Sequence, residues 1–179
     1  MNKKLTMDEL NRLSVSEFKD QIKTPLILVL DNVRSMNNVG SVFRTADSFN
    51  IEKIILVGIT ACPPNREIAK TALGAENSVT WQFTETIETA IEILREENCL
   101  ICSIEQVSSS TLLQNFKPDK NKKYAYIFGN EVFGVNDFAI ANSDFCLEIP
   151  QFGTKHSLNI AVTVGITCWD FIQKTHFSK

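Results

Sequence analysis

The sequence predicts an α/β fold, a mostly parallel sheet flanked by helices, on three observations. Short continuous aliphatic runs such as Leu26–Leu30 (LILVL) read as strands buried on both faces, as in parallel sheets. Segments with helical apolar spacing lie between such runs, most clearly where Ile87, Ala90, Ile91 and Leu94 share one face. The two kinds of segment alternate along the chain, with no internal repeat, linker or low-complexity stretch.

In order, residues 5–18 read as a helical arm. Leu10, Leu13 and Phe18 form an apolar face, and Thr6 is placed to cap Glu9 three residues on. Pro25 is expected to end this arm, so residues 1–24 form an extension and 25–179 a single domain. Strand Leu26–Leu30 leads into a polar loop holding Asn32, Asn37 and Asn38. A helix is expected from Val39, with Val42, Phe43, Ala46 and Phe49 on one side, and Ile54–Val57 closes a βαβ unit. A short helix over Arg66–Leu73 ends at Gly74. Strand Val79–Phe83 follows, then the amphipathic helix Thr84–Glu97 and strand Leu100–Ile104. Residues 106–123 are polar apart from Leu112 and Leu113, and Tyr124–Phe128 is the next strand. After GNEVFGVND a short helix is expected at Asp137–Ala141. In the following strand Phe145, Leu147 and Ile149 alternate with Cys146 and Glu148 until Pro150, which cannot donate to a ladder. Gly153 is expected to take a backbone conformation that other residues resist. Ser157 is positioned as N-cap of a last helix, Leu158–Gln173. Its residues Ile160, Val162, Thr163, Val164, Ile166 and Thr167 are β-branched, but the length of the run and the cap favour a helix. Apolar nearly all round, it should be buried on most sides, in the core and at a subunit interface.

The 179 residues are 44% hydrophobic and 22% charged, which suits a packed domain and not a disordered chain. A net charge of −3 argues against holding nucleic acid by bulk charge alone. Lys117, Lys120, Lys122 and Lys123 cluster, and read first as a solvated loop. The five cysteines are odd in number and lack disulfide-like spacing, as in a reducing compartment. Cys99 and Cys102 form a C-x-x-C, but no second pair lies at zinc-site spacing and the run is strand-like. Core packing is the expectation, and no metal is called for. The charged N-terminal stretch lacks an apolar signal region, and the run near Ile160–Ile172 is too short and polar to span a membrane. A cytoplasmic location is expected.

No G-x-G-x-x-G follows the first strand and no G-x-x-x-x-G-K-[ST] occurs, which argues against a dinucleotide fold or a P-loop. The polar residues instead gather in three places, each after a predicted strand: Asn38-Val39-Gly40 with Arg44, Gly129-Asn130-Glu131, and Ser157-Leu158-Asn159. All three could meet at one edge of the sheet.

In this order and spacing, NNVGSVFRTAD, FGNEVFGV and IPQFGTKHSLNIAV resemble the three successive motifs of the SpoU (TrmH-like) RNA 2′-O-ribose methyltransferases of the SPOUT superfamily. The resemblance covers about Leu26 to Phe171. It implies an α/β fold with a C-terminal trefoil knot, an exception to ordinary chain topology. It also implies S-adenosyl-L-methionine as methyl donor, tRNA or rRNA as substrate, and a homodimer whose site draws on both subunits. Asn38 and Arg44 match the first motif. Gly129, Asn130 and Glu131 match the second, and Ile149, Pro150, Ser157, Leu158 and Asn159 the third. The resemblance places the donor against Phe128, Gly129, Asn130, Ile149, Gln151, Ser157 and Leu158, held mainly by backbone. It gives Arg44, Asn38, Glu131, Ser157 and Asn159 to catalysis. Val132 stands where the family usually has glycine, and Gln151 where methionine is common. RNA recognition is then expected from the catalytic domain, the N-terminal arm and the dimer.

Several roles stay open at this level. A guanidinium holds its proton tightly, so Arg44 is expected to clamp the adjacent phosphate and orient the hydroxyl, acting as base only if that phosphate takes its proton. Glu131 is either a base or a fixer of loop amides. Ser157 either caps the last helix or positions substrate, and Asn38 either makes an Asx-type turn or serves the site. His156 reads as a loop residue. A fold-retaining, non-catalytic RNA-binding or assembly protein is the rival to the enzyme.

Overall fold

A computed structural model describes residues 2–6 and 8–177. Among these residues seven strands form one parallel sheet, β1 (Thr24–Asp31), β2 (Ile51–Val57), β3 (Trp81–Thr84), β4 (Leu100–Ile104), β5 (Thr111–Leu112), β6 (Tyr124–Phe128) and β7 (Phe145–Glu148). Their spatial order is β3-β2-β1-β6-β4-β7-β5. The central strands are apolar on both faces because both are covered. Leu26, Leu28, Leu30, Ile54, Leu56, Tyr126 and Phe128 pack under one layer of helices, and Ile27, Val29, Ile55, Ile101 and Ile127 under the other. The first layer is α1 (Val15–Asp20), α2 (Met36–Ser48), α3 (Arg66–Ala72), α4 (Ala75–Ser78) and α7 (Ile160–Ile172). The second is α5 (Ile87–Glu96) and α6 (Asp137–Ala141). Gly40 sets the α2–α3 spacing: a Cβ there would lie 2.2 Å from the Ile68 carbonyl oxygen.

The elements differ from expectation where capping or a turn outweighs periodicity. The arm is not one helix. A 3₁₀ turn at Asp8–Leu10 is followed by Asn11 at φ 45° and then by α1, which a Ser14–Glu17 capping box starts anew. The Thr6–Glu9 pair does form, in both directions. Pro25 lies inside β1, where the register with β2 is irregular between Thr24 and Ile27. α2 begins at Met36, three residues before Val39, because the Ser35 hydroxyl caps Asn38 N. Asn38 is therefore helical and makes no Asx turn. Val79, read as the first residue of a strand, is the C-cap of α4, so β3 starts only at Trp81. Thr86 caps α5, which leaves Thr84 in β3. The two-residue β5 and the 3₁₀ turn Leu113–Asn115 occupy the stretch read as polar loop.

The last helix forms despite its β-branched residues. Thr163 and Thr167 satisfy their hydroxyls on carbonyls one turn back, and Val164, Cys168 and Phe171 bury against the sheet. Its cap is Asn159, whose Oδ1 accepts from Ala161 N at 2.9 Å; Ser157 is not the cap. Gly153 has no left-handed φ and open space around its would-be Cβ, so its backbone needs no special freedom. Cys99 and Cys102 are buried in the core, and burial pushes the Cys99 thiol up to about 11. Lys123 of the lysine cluster pairs with Glu52 and Glu97 at the N-terminal edge of the sheet. Among the described residues no group of three or more His, Cys, Asp and Glu could hold a metal, and no helix is long and apolar enough to cross a membrane.

Candidate active site

A cavity of about 540 Å³ lies beyond the carboxyl ends of β4, β6 and β7. That is the position where open parallel sheets bind ligands, and the size suits a cofactor. Three connections wall it. The loop after β6 turns back on itself: Asn130 and Gly134 exchange both backbone hydrogen bonds at 3.1 Å, and Asn130 Oδ1 accepts from Val132 N and Phe133 N. This fold-back demands glycine at 129, since a Cβ there would lie 1.9 Å from the Gly134 carbonyl carbon. Glu105, the first residue after β4, fastens the loop by accepting from Val135 N at 3.0 Å. The third wall is the connection from β7 to α7, through Ile149, Gln151, Ser157 and Leu158.

One hydrogen-bonded chain ties the three polar clusters together. Glu131 accepts from Arg34 N (3.3 Å), Ser35 N (3.4 Å) and Asn38 Nδ2 (3.1 Å). Asn38 Oδ1 in turn accepts from Asn159 Nδ2 at 3.2 Å, across 121 residues of sequence. The amide orientations agree with one another: Asn38 donates through nitrogen to a carboxylate, and Asn159 has its oxygen committed to Ala161 N. Partial burial works to raise the Glu131 pKa. Hydrogen bonds from its own amide, Arg34, Asn38 and Ser35 outweigh that and hold it below the usual carboxylate value.

The residues assigned to the donor pocket, Phe128, Gly129, Asn130, Ile149, Gln151, Ser157 and Leu158, all line this cavity. Glu131 and Asn159 line it too, and Asn38 reaches it through both of them. Arg44 does not. It sits exposed on α2, in a shallow cleft with Ser41, Thr45, Ser48, Lys70, Thr71 and Gly165. The reason is helical geometry. Six residues beyond Asn38, Arg44 projects about 240° around the helix and about 9 Å along it. Within one chain, therefore, Arg44 is not brought to the other two clusters at the cavity. Ser157 is exposed at the rim without a side-chain hydrogen bond among the described residues, and His156 lies beside it. Sequence reasoning missed Glu105, Gln106, Phe133 and Thr163, which also line the cavity. Glu105 carried a usable signal, as a carboxylate at the carboxyl end of a central strand.

Comparison with known proteins agrees with this architecture. Residues 25–169 match the model of the SpoU rRNA Methylase family. The chain is 28% identical over 142 residues to the 23S rRNA (guanosine-2′-O-)-methyltransferase RlmB of Neisseria meningitidis serogroup B, covering 79% of this chain and 56% of that one. It is 31% identical over 144 residues to an uncharacterized tRNA/rRNA methyltransferase of Borreliella burgdorferi, covering 80% and 62%. The AdoMet-bound rRNA methyltransferase of Sinorhizobium meliloti superposes with a TM-score of 0.78 at 25% identity, covering 87% of this chain and 59% of that one. The A. aeolicus TrmH/SpoU tRNA modifying enzyme shares the fold, with a TM-score of 0.78 at 19% identity, covering 89% and 80%. The chain thus spans 56% and 62% of the length of these two sequence relatives. The family match over most of the chain, with the sheet order and the joined motifs, leads to one conclusion: this chain belongs to the SpoU rRNA methylase family.

Proposed function

We propose that this protein methylates a ribose 2′-hydroxyl of tRNA or rRNA with S-adenosyl-L-methionine as donor. The observation that carries the reading is the hydrogen-bonded chain Glu131–Asn38–Asn159, which joins all three motifs beside a cofactor-sized cavity. The cavity suits the donor's chemistry. Phe128, Leu147, Ile149 and Leu158 offer apolar surface to an adenosine, and Glu105, Glu131 and Glu148 line the cavity with negative charge suited to a sulfonium. When bound, the donor supplies an electrophilic methyl group for in-line transfer to oxygen.

The chain's own residues then hold and align. Glu131 already accepts three donors and its pKa is depressed, so its role is to lock the β1–α2 and β6–α6 loops, and not to take the proton. Asn38 and Asn159 brace the start of α7 against α2. Arg44 clamps a substrate phosphate and orients the hydroxyl, whose proton passes to that phosphate or to solvent as the methyl is transferred. That role needs a homodimer, because Arg44 is remote from the cavity of its own chain. In support, α7 exposes Val162, Ile166 and Trp169 on its outer side next to the Arg44 cleft, an apolar stripe that a second copy would cover. A C-terminal knot and a cytoplasmic location belong to the same reading. The knot draws support from β6 entering between β1 and β4, and β7 between β4 and β5.

Calorimetry with S-adenosylhomocysteine tests the donor site, and ribose-methylation mapping of RNA from cells with and without the protein tests the reaction. Saturable binding and a lost 2′-O-methyl mark support the reading. Arg44→Lys keeps the charge and loses the planar fork, and is expected to abolish the mark. Arg44's place outside the cavity is also what a non-catalytic, fold-retaining RNA-binding protein would tolerate. Absence of S-adenosylhomocysteine binding would favour that alternative.

A further inference from the structure

The cavity's lining and the exposed loops beside it differ in chemistry. Glu105, Glu131 and Glu148 line the cavity with negative charge, which repels phosphate. The loops are aromatic and cationic. Phe133 is 78% exposed on the loop after β6 and Phe152 is 96% exposed on the loop after β7, and neither ring packs on another aromatic ring among the described residues. Phenylalanines left this bare add nothing to the core. From Ile149 to Asn159 the chain holds no carboxylate, and it carries Lys155 and His156. β6 and β7 are separated in the sheet by β4 alone, so the two loops leave the sheet roughly 10 Å apart.

We propose that Phe133 and Phe152 form a stacking platform for bases of single-stranded RNA around the target ribose, with Lys155 on a neighbouring phosphate. This rests on the donor-site reading above and adds how the substrate is held. Aromatic faces accept any base, so the platform supplies affinity and places the ribose over the cavity without reading sequence. The negative lining keeps the phosphate backbone outside the cavity, which leaves the interior to a cationic donor.

The test is fluorescence anisotropy with a 5′-fluorescein-labelled, mixed-sequence, single-stranded 12-nucleotide RNA on the full chain. Phe152→Ala is expected to weaken binding roughly 5- to 150-fold, with the salt slope unchanged. Phe152→Trp restores affinity and Phe152→Leu does not, since a π-face and not mere apolarity is required. Lys155→Ala lowers the salt slope by about one. The inference is overturned if wild type shows no saturable binding, if Phe133→Ala/Phe152→Ala binds as wild type does, or if leucine restores as well as tryptophan. It is equally overturned if affinity falls only as a dimer dissociates in light scattering, which would assign Phe152 to a contact between copies. Wild-type binding of S-adenosylhomocysteine separates the two readings. With it intact, unaltered RNA affinity in the variants removes the platform alone; without it, the donor site and the platform fall together.

Discussion

Removing the Glu131 carboxylate should loosen the cavity by a calculable amount. Glu131→Ala strands three donors, Arg34 N, Ser35 N and Asn38 Nδ2. A bond to a charged acceptor can be worth about 1.5–3 kcal/mol, but Glu131 is exposed and water replaces part of the loss. At roughly 0.5 kcal/mol each, the total is about 1.5 kcal/mol, a fall in Tm of about 3–6 °C for a chain of this size. Glu131→Ala and Asn38→Ala share a bond, so in a double-mutant cycle they should couple by about 0.5–1 kcal/mol instead of adding. The pH dependence has a definite sign. The folded pKa lies below the ordinary carboxylate value of 4.5, so the charge stabilises the protein above that pH and ceases to as pH falls through the folded pKa. The gap between wild type and Glu131→Gln should be full at neutral pH and close as pH falls through the folded pKa. Urea unfolding followed by far-UV circular dichroism measures all of this. Strict additivity with Asn38→Ala, or a gap that persists unchanged into acid, would refute the bracing role.

Three further predictions follow from local geometry. Asn159→Ala removes the cap of α7 and its bond to Asn38 and should cost about 1–2 kcal/mol, whereas Ser157→Ala, which caps nothing, should stay within about 0.5 kcal/mol in the same unfolding experiment. Gly129→Ala drives a methyl into the Gly134 backbone and should lower Tm and weaken S-adenosylhomocysteine binding at least about tenfold by calorimetry; wild-type affinity would mean that the loop opens cheaply. Cys99 and Cys102 should resist iodoacetamide in the folded protein, and a chelator should leave Tm unchanged, because burial pushes both thiols up and the pair packs in the core; rapid labelling at mild pH would contradict this.

The strand-and-helix alternation was legible because strands buried on both faces must be apolar throughout, as LILVL and YAYIF are. Helix starts were not, because a cap is a contest between neighbours. Ser35 won over the register beginning at Val39, Ser14 over a longer arm, and Asn159 over Ser157, each by which side chain reached a free amide. The seven residues that the resemblance assigned to the donor all line the cavity, but it left out Glu105, Gln106, Phe133 and Thr163 and gave none of the contacts. Periodicity is local, whereas the bonds Glu131–Asn38 and Asn38–Asn159 depend on β6 lying next to β1 and on α7 packing beside α2. The same tertiary geometry turned Arg44 away from the cavity, since six helical residues rotate a side chain to a different face whatever motif it belongs to. The order of residues thus determined the layers of this protein and part of its cavity wall. Only the folded arrangement decided which polar groups meet, because those meetings are set by strand order and helix phase across distances in sequence that no local pattern spans.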